Sequence, residues 1–160
     1  VNIALIEDGV PTVGVVYAPA LGRIATGGPD GAFEAEFDGA AEVPALDWRR
    51  IAARACAEPP VAVASRSHRD AETNAFLRDK GITETRSAGS SVKFCLLARG
   101  EADVYPRFGR TMEWDIAAGD AVLRAAGGRV ETTDGLPFTY GKREGGYANP
   151  GFIGWGARRA

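Results

Sequence analysis

The sequence predicts an α/β protein in two successive parts, an antiparallel sheet followed by a mixed α/β lobe. Two observations predict it. From Asn2 to Phe37, β-branched and aromatic runs alternate with Gly, Asp and Pro turns, and no segment of helical period interrupts them. From Val61 onward, short apolar runs alternate instead with segments whose apolar residues recur at helical spacing, the pattern of helices laid on sheet faces.

The first part reads as a meander. VNIALI is followed by the turn EDGV, then TVGVVYAP, the bend ALGR, the strand IATG, the turn GPDG and the strand AFEAEF. Such a sheet needs one face covered, and the covering element must come from elsewhere in the polypeptide. Between Gly39 and Pro60 the composition shifts. Trp48, Ile51, Ala52 and Ala55 suggest a weak helix closed by Pro59-Pro60, and the domain boundary is expected here, dividing residues 1–59 from 60–160. Beyond it come the strand VAVAS, the helix RDAETNAFLRDKG, the strand ITETR, the helix SSVKFCLLARG and the strand ADVYP. An alanine-rich helix from Asp115 to the Gly127-Gly128 stop and the strands GRVET and GFIGWG complete the series.

Composition limits the partners. With 45% hydrophobic and 25% charged residues in 160, the chain is globular and large enough for one sizeable core. The 19 basic and 21 acidic side chains leave a net charge of -2, so no overall field draws in polymeric nucleic acid or an anionic membrane, and affinity for a phosphorylated small molecule must be local. Two distant cysteines, Cys56 and Cys95, form neither a disulfide framework nor a metal knuckle, which points to a reducing, cytoplasmic setting. No apolar run reaches the roughly 18 to 20 residues of a transmembrane helix. The chain opens inside an apparent strand without a methionine, so an upstream segment is expected to be missing.

Polar residues gather after the strands of the second part. Ser65-Arg66-Ser67-His68, Ala88-Gly89-Ser90-Ser91 and Pro106-Arg107 each follow a strand, where ligands bind in open α/β sheets. Gly89-Ser90-Ser91 is either an ordinary helix cap or a cradle for an oxyanion. Lys93 follows within one turn; a lysine there opposes the helix macrodipole unless an anion is present. Arg107 has a fork suited to phosphate. His68, the only histidine, reads equally as a surface or capping residue. Asp115, at the start of its helix, is either an N-cap meeting unpaired N–H groups or, with Arg107 and Arg110 nearby, part of a site for a metal and an anion.

Several motifs together carry a family resemblance: Trp114-Asp115-Ile116-Ala117-Ala118-Gly119, Ser65-Arg66-Ser67-His68, Gly89-Ser90-Ser91-Val92-Lys93-Phe94-Cys95, Tyr105-Pro106-Arg107-Phe108-Gly109 and Asn149-Pro150-Gly151-Phe152. With them the chain resembles the inositol-monophosphatase-like, magnesium-dependent, lithium-sensitive phosphatases, and within these the 3'(2'),5'-bisphosphate nucleotidases of sulfur metabolism. The resemblance implies a layered sandwich of that type. It also implies removal of the 3'-phosphate of adenosine 3',5'-bisphosphate, or of its phosphosulfate analogue, to give AMP and phosphate. Mg2+ is the implied cofactor, with Asp115 as catalytic metal ligand and His68, Ser90, Lys93 and Arg107 as substrate contacts. The glutamate pair and the Asp-Pro-Leu-Asp-Gly-Thr motif of the family have no match here. The chain is therefore expected to be the back part of such an enzyme, inactive alone and dependent on the missing N-terminal segment in cis or in trans. The alternatives are an inositol monophosphatase and a non-catalytic nucleotide-binding module.

Overall fold

The computed structural model describes residues 1–40, 42–64 and 70–158. Five strands, β1 (Asn2–Glu7), β2 (Val10–Ala18), β3 (Arg23–Gly28), β4 (Gly31–Glu36) and β5 (Arg49–Ile51), pair antiparallel in chain order. The first hairpin turns on Asp8 and Gly9, both at positive φ (50° and 76°), the geometry that matches the twist of its flanking strands.

The fifth strand corrects the helix expected between Trp48 and Ala55. Arg49 to Ile51 instead extend along β4, with Ile51 opposite Ala32 and buried. Arg49 also reaches the carboxylate of Glu34, which is only 3% exposed and receives Arg99 Nη1 at 3.0 Å as well. Burial works to raise the Glu34 pKa, but the hydrogen bonds from Arg49 and Arg99 outweigh it and hold the group below its usual range. Pairing partners outside the segment thus override a marginal helical period.

The chain continues through β6 (Ala62–Val63), α1 (Ala71–Asp79), β7 (Thr85–Arg86), α2 (Val92–Ala98), β8 (Val104–Arg107), β9 (Thr111–Met112), α3 (Glu113–Ala125), β10 (Arg129–Thr132), β11 (Ala148–Asn149) and β12 (Phe152–Trp155). A second sheet has the order β10-β12-β8-β6-β7, antiparallel at β12 and parallel where β6 meets β8 and β7. The ribbon of β9 and β11 stands apart.

Side-chain alternation along the strands sets the layers. Val63, Tyr105 and Phe152 point to one face of the second sheet and pack with Phe94 and Leu97 of α2 and Leu123 of α3. Ala62, Val104 and Ile153 point to the other face, against Leu77 of α1. The opposite side of α2 and α3, with Cys95, Ala98, Ala118 and Val122, packs on Val16, Ala25, Ala32 and Ile51 of the first sheet. The order is sheet, helix pair, sheet, helix, so the cover for the first sheet comes from downstream. Alanines let α3 approach closely: a Cβ on Gly14 would lie 2.5 Å from the Ala118 carbonyl oxygen, and one on Gly27 would lie 2.6 Å from the Val122 Cα.

Candidate functional site

The parallel pairing of β6 with β7 and β8 places the carboxyl ends of all three strands on one edge of the second sheet. The segments singled out from the sequence leave from that edge. Ser65 to His68 lie outside the described residues, so the His68 expectation is not placed. Residues Ala88 to Ser91 and Arg107 are described.

Ser90 takes a left-handed conformation at φ 46°, which turns the chain into α2 and leaves the residue exposed. Its carbonyl accepts the Lys93 N–H at 3.3 Å. Ser91 is buried, and its hydroxyl donates to Asn2 Oδ1 at 2.6 Å, tying this turn to β1. The helix then carries Lys93 inward. Lys93 is 6% exposed, and its Nζ lies 5.1 Å from the centroid of the Tyr105 ring. Burial, and then the charge of Arg107, push its pKa down.

Arg107 closes β8. Its Nη2 donates to the Arg110 carbonyl at a long 3.4 Å, while its Nε is buried without a hydrogen-bond partner among the described residues. Asp70, the N-cap of α1, accepts from the Thr73 N–H at 2.6 Å. Burial works to raise the Asp70 pKa, yet the Thr73 hydrogen bonds, the charge of Arg107 and the Gly109 N–H together hold it low. Asp70 therefore ties α1 to the loop after β8. Asp70 is not among the residues singled out from the sequence; its place directly before the helix is the available signal.

Asp115 corrects one expectation. The helix begins at Glu113 rather than at Asp115, with Met112 as N-cap. Asp115 sits at the third helical position, and its Oδ2 accepts the Met112 N–H at 2.8 Å, reaching back over the first turn. Glu113, unremarked in the sequence, is only 8% exposed and accepts the N–H groups of Gly141 and Lys142, each at 2.9 Å, and Lys142 Nζ at 3.2 Å. Burial would raise the Glu113 pKa; the Lys142 and Gly141 N–H groups lower it instead. This clamp fixes the end of α3 that presents Asp115. Lys142 lies in a loop with no period to reveal it.

Tyr105 joins the parts. It is 5% exposed and lies beneath Lys93; burial pushes its hydroxyl up to about 12, with Arg107 pulling it down and Asp115 pushing it up. Lys93 thus sits over the Tyr105 ring, and the charges of Arg107 and Asp115 act on its hydroxyl. The cations can receive an anion. Among the described residues no group of three or more His, Cys, Asp or Glu side chains is arranged to hold a metal ion, so Asp115 is a single carboxylate and the described residues alone do not make a magnesium site.

The sequence profile of the inositol monophosphatase family matches residues 1–158. Among curated proteins, the 3'(2'),5'-bisphosphate nucleotidase CysQ of Escherichia coli (strain K12) is 45% identical over 152 residues, which are 95% of this chain and 58% of that protein. A histidinol-phosphatase of Mycobacterium tuberculosis (strain ATCC 25618 / H37Rv) is 39% identical over 148 residues, 87% of this chain and 53% of that one. The crystal structure of CysQ from Bacteroides thetaiotaomicron superposes with a TM-score of 0.87 at 37% identity, covering 99% of this chain and 62% of that one. The chain spans less than two thirds of the length of these relatives, and over that span it shares the mixed α/β arrangement of the Bacteroides thetaiotaomicron structure.

Proposed function

The chain belongs to the inositol monophosphatase family, and from that premise we propose that it carries the substrate-binding part of a phosphatase that removes the 3'-phosphate of adenosine 3',5'-bisphosphate to give AMP and phosphate, in a cytoplasmic setting. Residues 60–160 form the substrate lobe in this reading, and residues 1–59 belong to the sheet of the metal-binding lobe. The observation that carries it is the juxtaposition of Lys93 and Arg107. A buried lysine whose pKa is lowered by burial and then by the charge of Arg107, and a guanidinium whose buried Nε has no hydrogen-bond partner among the described residues, are two neighbouring cations. Such a pair is unfavourable alone and favourable around an anion. A monophosphate gives one phosphate to the reacting centre and none to this pair; a bisphosphate supplies both. Identity of 45% to a bisphosphate nucleotidase supports the same choice.

The anion on Lys93 and Arg107, with the hydroxyl of Ser90 and the side chain of His68 beside it, would orient the nucleotide, and Asp115 would face the phosphate to be cleaved. Mg2+ supplies, in such phosphatases, the polarisation of water and phosphoryl oxygens. Asp115 would be one of its ligands. A single carboxylate does not fix such an ion, and no metal-holding cluster is found among the described residues, so in this reading the 160 residues by themselves bind nucleotide without turning it over, and the remaining metal ligands would come from outside the described residues.

Calorimetric titration with adenosine 3',5'-bisphosphate, AMP and inositol 1-phosphate tests the reading, with phosphate release followed in parallel. The bisphosphate and AMP, which both carry the phosphate that is not cleaved, should bind at least tenfold more tightly than inositol 1-phosphate. Equal binding of inositol 1-phosphate would transfer the assignment to an inositol monophosphatase.

A further inference from the structure

A helix N-cap needs one acceptor oxygen, and Asp70 has two. Its Oδ1 accepts the Thr73 N–H at 2.6 Å and closes the first turn of α1, a task that serine or asparagine would perform as well. The second oxygen serves another element. A Cβ on Gly109 would lie 3.5 Å from Asp70 Oδ2 and 3.5 Å from both Cζ and Nη2 of Arg107, so carboxylate and guanidinium pack against the same glycine. Burial works against ionisation of Asp70, and the Thr73 bonds, the Arg107 charge and the Gly109 N–H outweigh it. Farther along α1, the Phe76 ring meets the Phe108 ring at 6.0 Å, a second link from this helix to the loop after β8.

Arg107 keeps its donors largely uncommitted. Its one bond to the Arg110 carbonyl is a long 3.4 Å, its Nε has no hydrogen-bond partner among the described residues, and Asp70 acts on it through charge rather than through a bond. The helices on either side of it stand on opposite faces of the second sheet. Leu77 of α1 packs with Val104 and Ile153, whereas Phe94 and Leu97 of α2 pack with Tyr105 and Phe152. Asp70 therefore bears on the guanidinium from the α1 side. Lys93, whose pKa burial and then the Arg107 charge push down, bears on it from the α2 side. An anion shared by Lys93 and Arg107 enters on the α2 side, with the Asp70 carboxylate behind the guanidinium.

We propose that Asp70 is a positioning residue for anion recognition: one oxygen caps α1, and the other holds the Gly109 loop and the Arg107 guanidinium where a phosphate meets them together with Lys93. The inference rests on the nucleotide reading and adds to it a residue that touches no substrate. Removing this carboxylate has two opposed effects. It relieves a repulsion on the phosphate, which solvent and salt already screen, and it frees the loop and the guanidinium. A fork binds two phosphate oxygens only when its plane is aligned with them. Alignment is therefore the larger effect, and loss of affinity is the expected sign.

The test uses Asp70→Asn and Asp70→Ser, which both keep a capping oxygen for the Thr73 N–H and should keep the circular dichroism spectrum and the melting temperature of the parent. In calorimetric titration of the 160-residue chain, each should bind adenosine 3',5'-bisphosphate roughly fivefold or more weakly. The same substitutions made in an Arg107→Ala background should change affinity by less than about twofold, because the residue they act through is gone. A purely structural role of Asp70 in α1 would move both backgrounds alike. Equal losses in the two backgrounds, tighter binding by the variants, or unchanged binding beside an Arg107→Ala loss each overturn the inference and leave the nucleotide reading standing. An Arg107→Ala variant that binds the bisphosphate as the parent does removes the nucleotide reading, and the role of Asp70 falls with it.

Discussion

Arg54 grips Asp103 with a two-point fork, Nε to Oδ1 at 2.7 Å and Nη2 to Oδ2 at 2.8 Å, and the same Oδ2 accepts the Val61 N–H at 2.7 Å. Asp103 has no exposed surface, while the Arg54 side chain is 42% exposed. The fork therefore pins the segment that crosses from the first sheet to the second at its point of entry. Burial works to raise the Asp103 pKa, but the Arg54 hydrogen bonds and the Val61 N–H hold it below its ordinary 3.8. A depressed acid contributes stability above its unfolded value and loses it as pH falls through the folded value. Asp103→Asn should cost about 1.5–3 kcal/mol near pH 7, discounted for the solvent around Arg54. Urea denaturation between pH 6 and pH 3 checks both parts, since the gap between the two proteins should narrow as the pH drops below about 4. A constant gap would contradict the linkage.

Gly14 lies where the first sheet and α3 meet without side chains. An added Cβ would stand 2.5 Å from the Ala118 carbonyl oxygen and 2.6 Å from the Ala121 Cβ, and backbone cannot give way there as a flexible side chain would. Gly14→Ala should destabilise by about 1–3 kcal/mol through overpacking. At Gly145, where nothing lies within 4 Å and φ is not left-handed, the same change should be neutral within about 0.5 kcal/mol. Thermal melts of the two variants side by side decide it; a harmless Gly14→Ala would mean that α3 sits more loosely on the sheet.

Lys93 should show opposite signs in stability and binding. Burial and Arg107 lower its pKa, so folding is penalised while the lysine is charged, and that penalty is relieved only as pH rises through the folded pKa. Lys93→Met removes the penalty and should raise the melting temperature of the unliganded chain at pH 7. It also removes one charge-assisted contact, worth roughly 1.5–3 kcal/mol, and should weaken adenosine 3',5'-bisphosphate roughly 10- to 150-fold. Arg107→Ala should weaken the bisphosphate similarly, and neither change should affect inositol 1-phosphate as much. Equal losses on both ligands would remove this pair from substrate discrimination.

Asp115→Asn separates a cap from a metal ligand. The amide oxygen of asparagine can still accept the Met112 N–H, whose present bond is 2.8 Å, so the melting temperature should change little. An amide lacks the charge that a magnesium ion requires. In an enzyme completed to the length of its relatives, turnover should fall by about a hundredfold or more, with partial recovery at high magnesium concentration. A variant with near-normal turnover across a magnesium titration would leave Asp115 as a cap alone.

The sequence by itself determined the order and kind of most elements and the family. Strand and helix periods are local properties, and Gly127, at φ 92°, stops α3 where the Gly127-Gly128 pair predicts. The short pairings were not legible. Arg49 to Ile51 carry a marginal helical period, and only the buried Glu34 and the neighbouring β4 make them a strand. The position of Asp115 within its helix was misread by two residues because Glu113, which begins the helix, is held by Gly141 and Lys142 from a loop 28 and 29 residues away. Lys93 and Arg107 were both singled out from the sequence, but the depth to which Lys93 is buried over the Tyr105 ring was not. Local backbone preferences act within a few residues and are written along the chain; which charges end up together depends on long-range packing, and only the tertiary structure decided that.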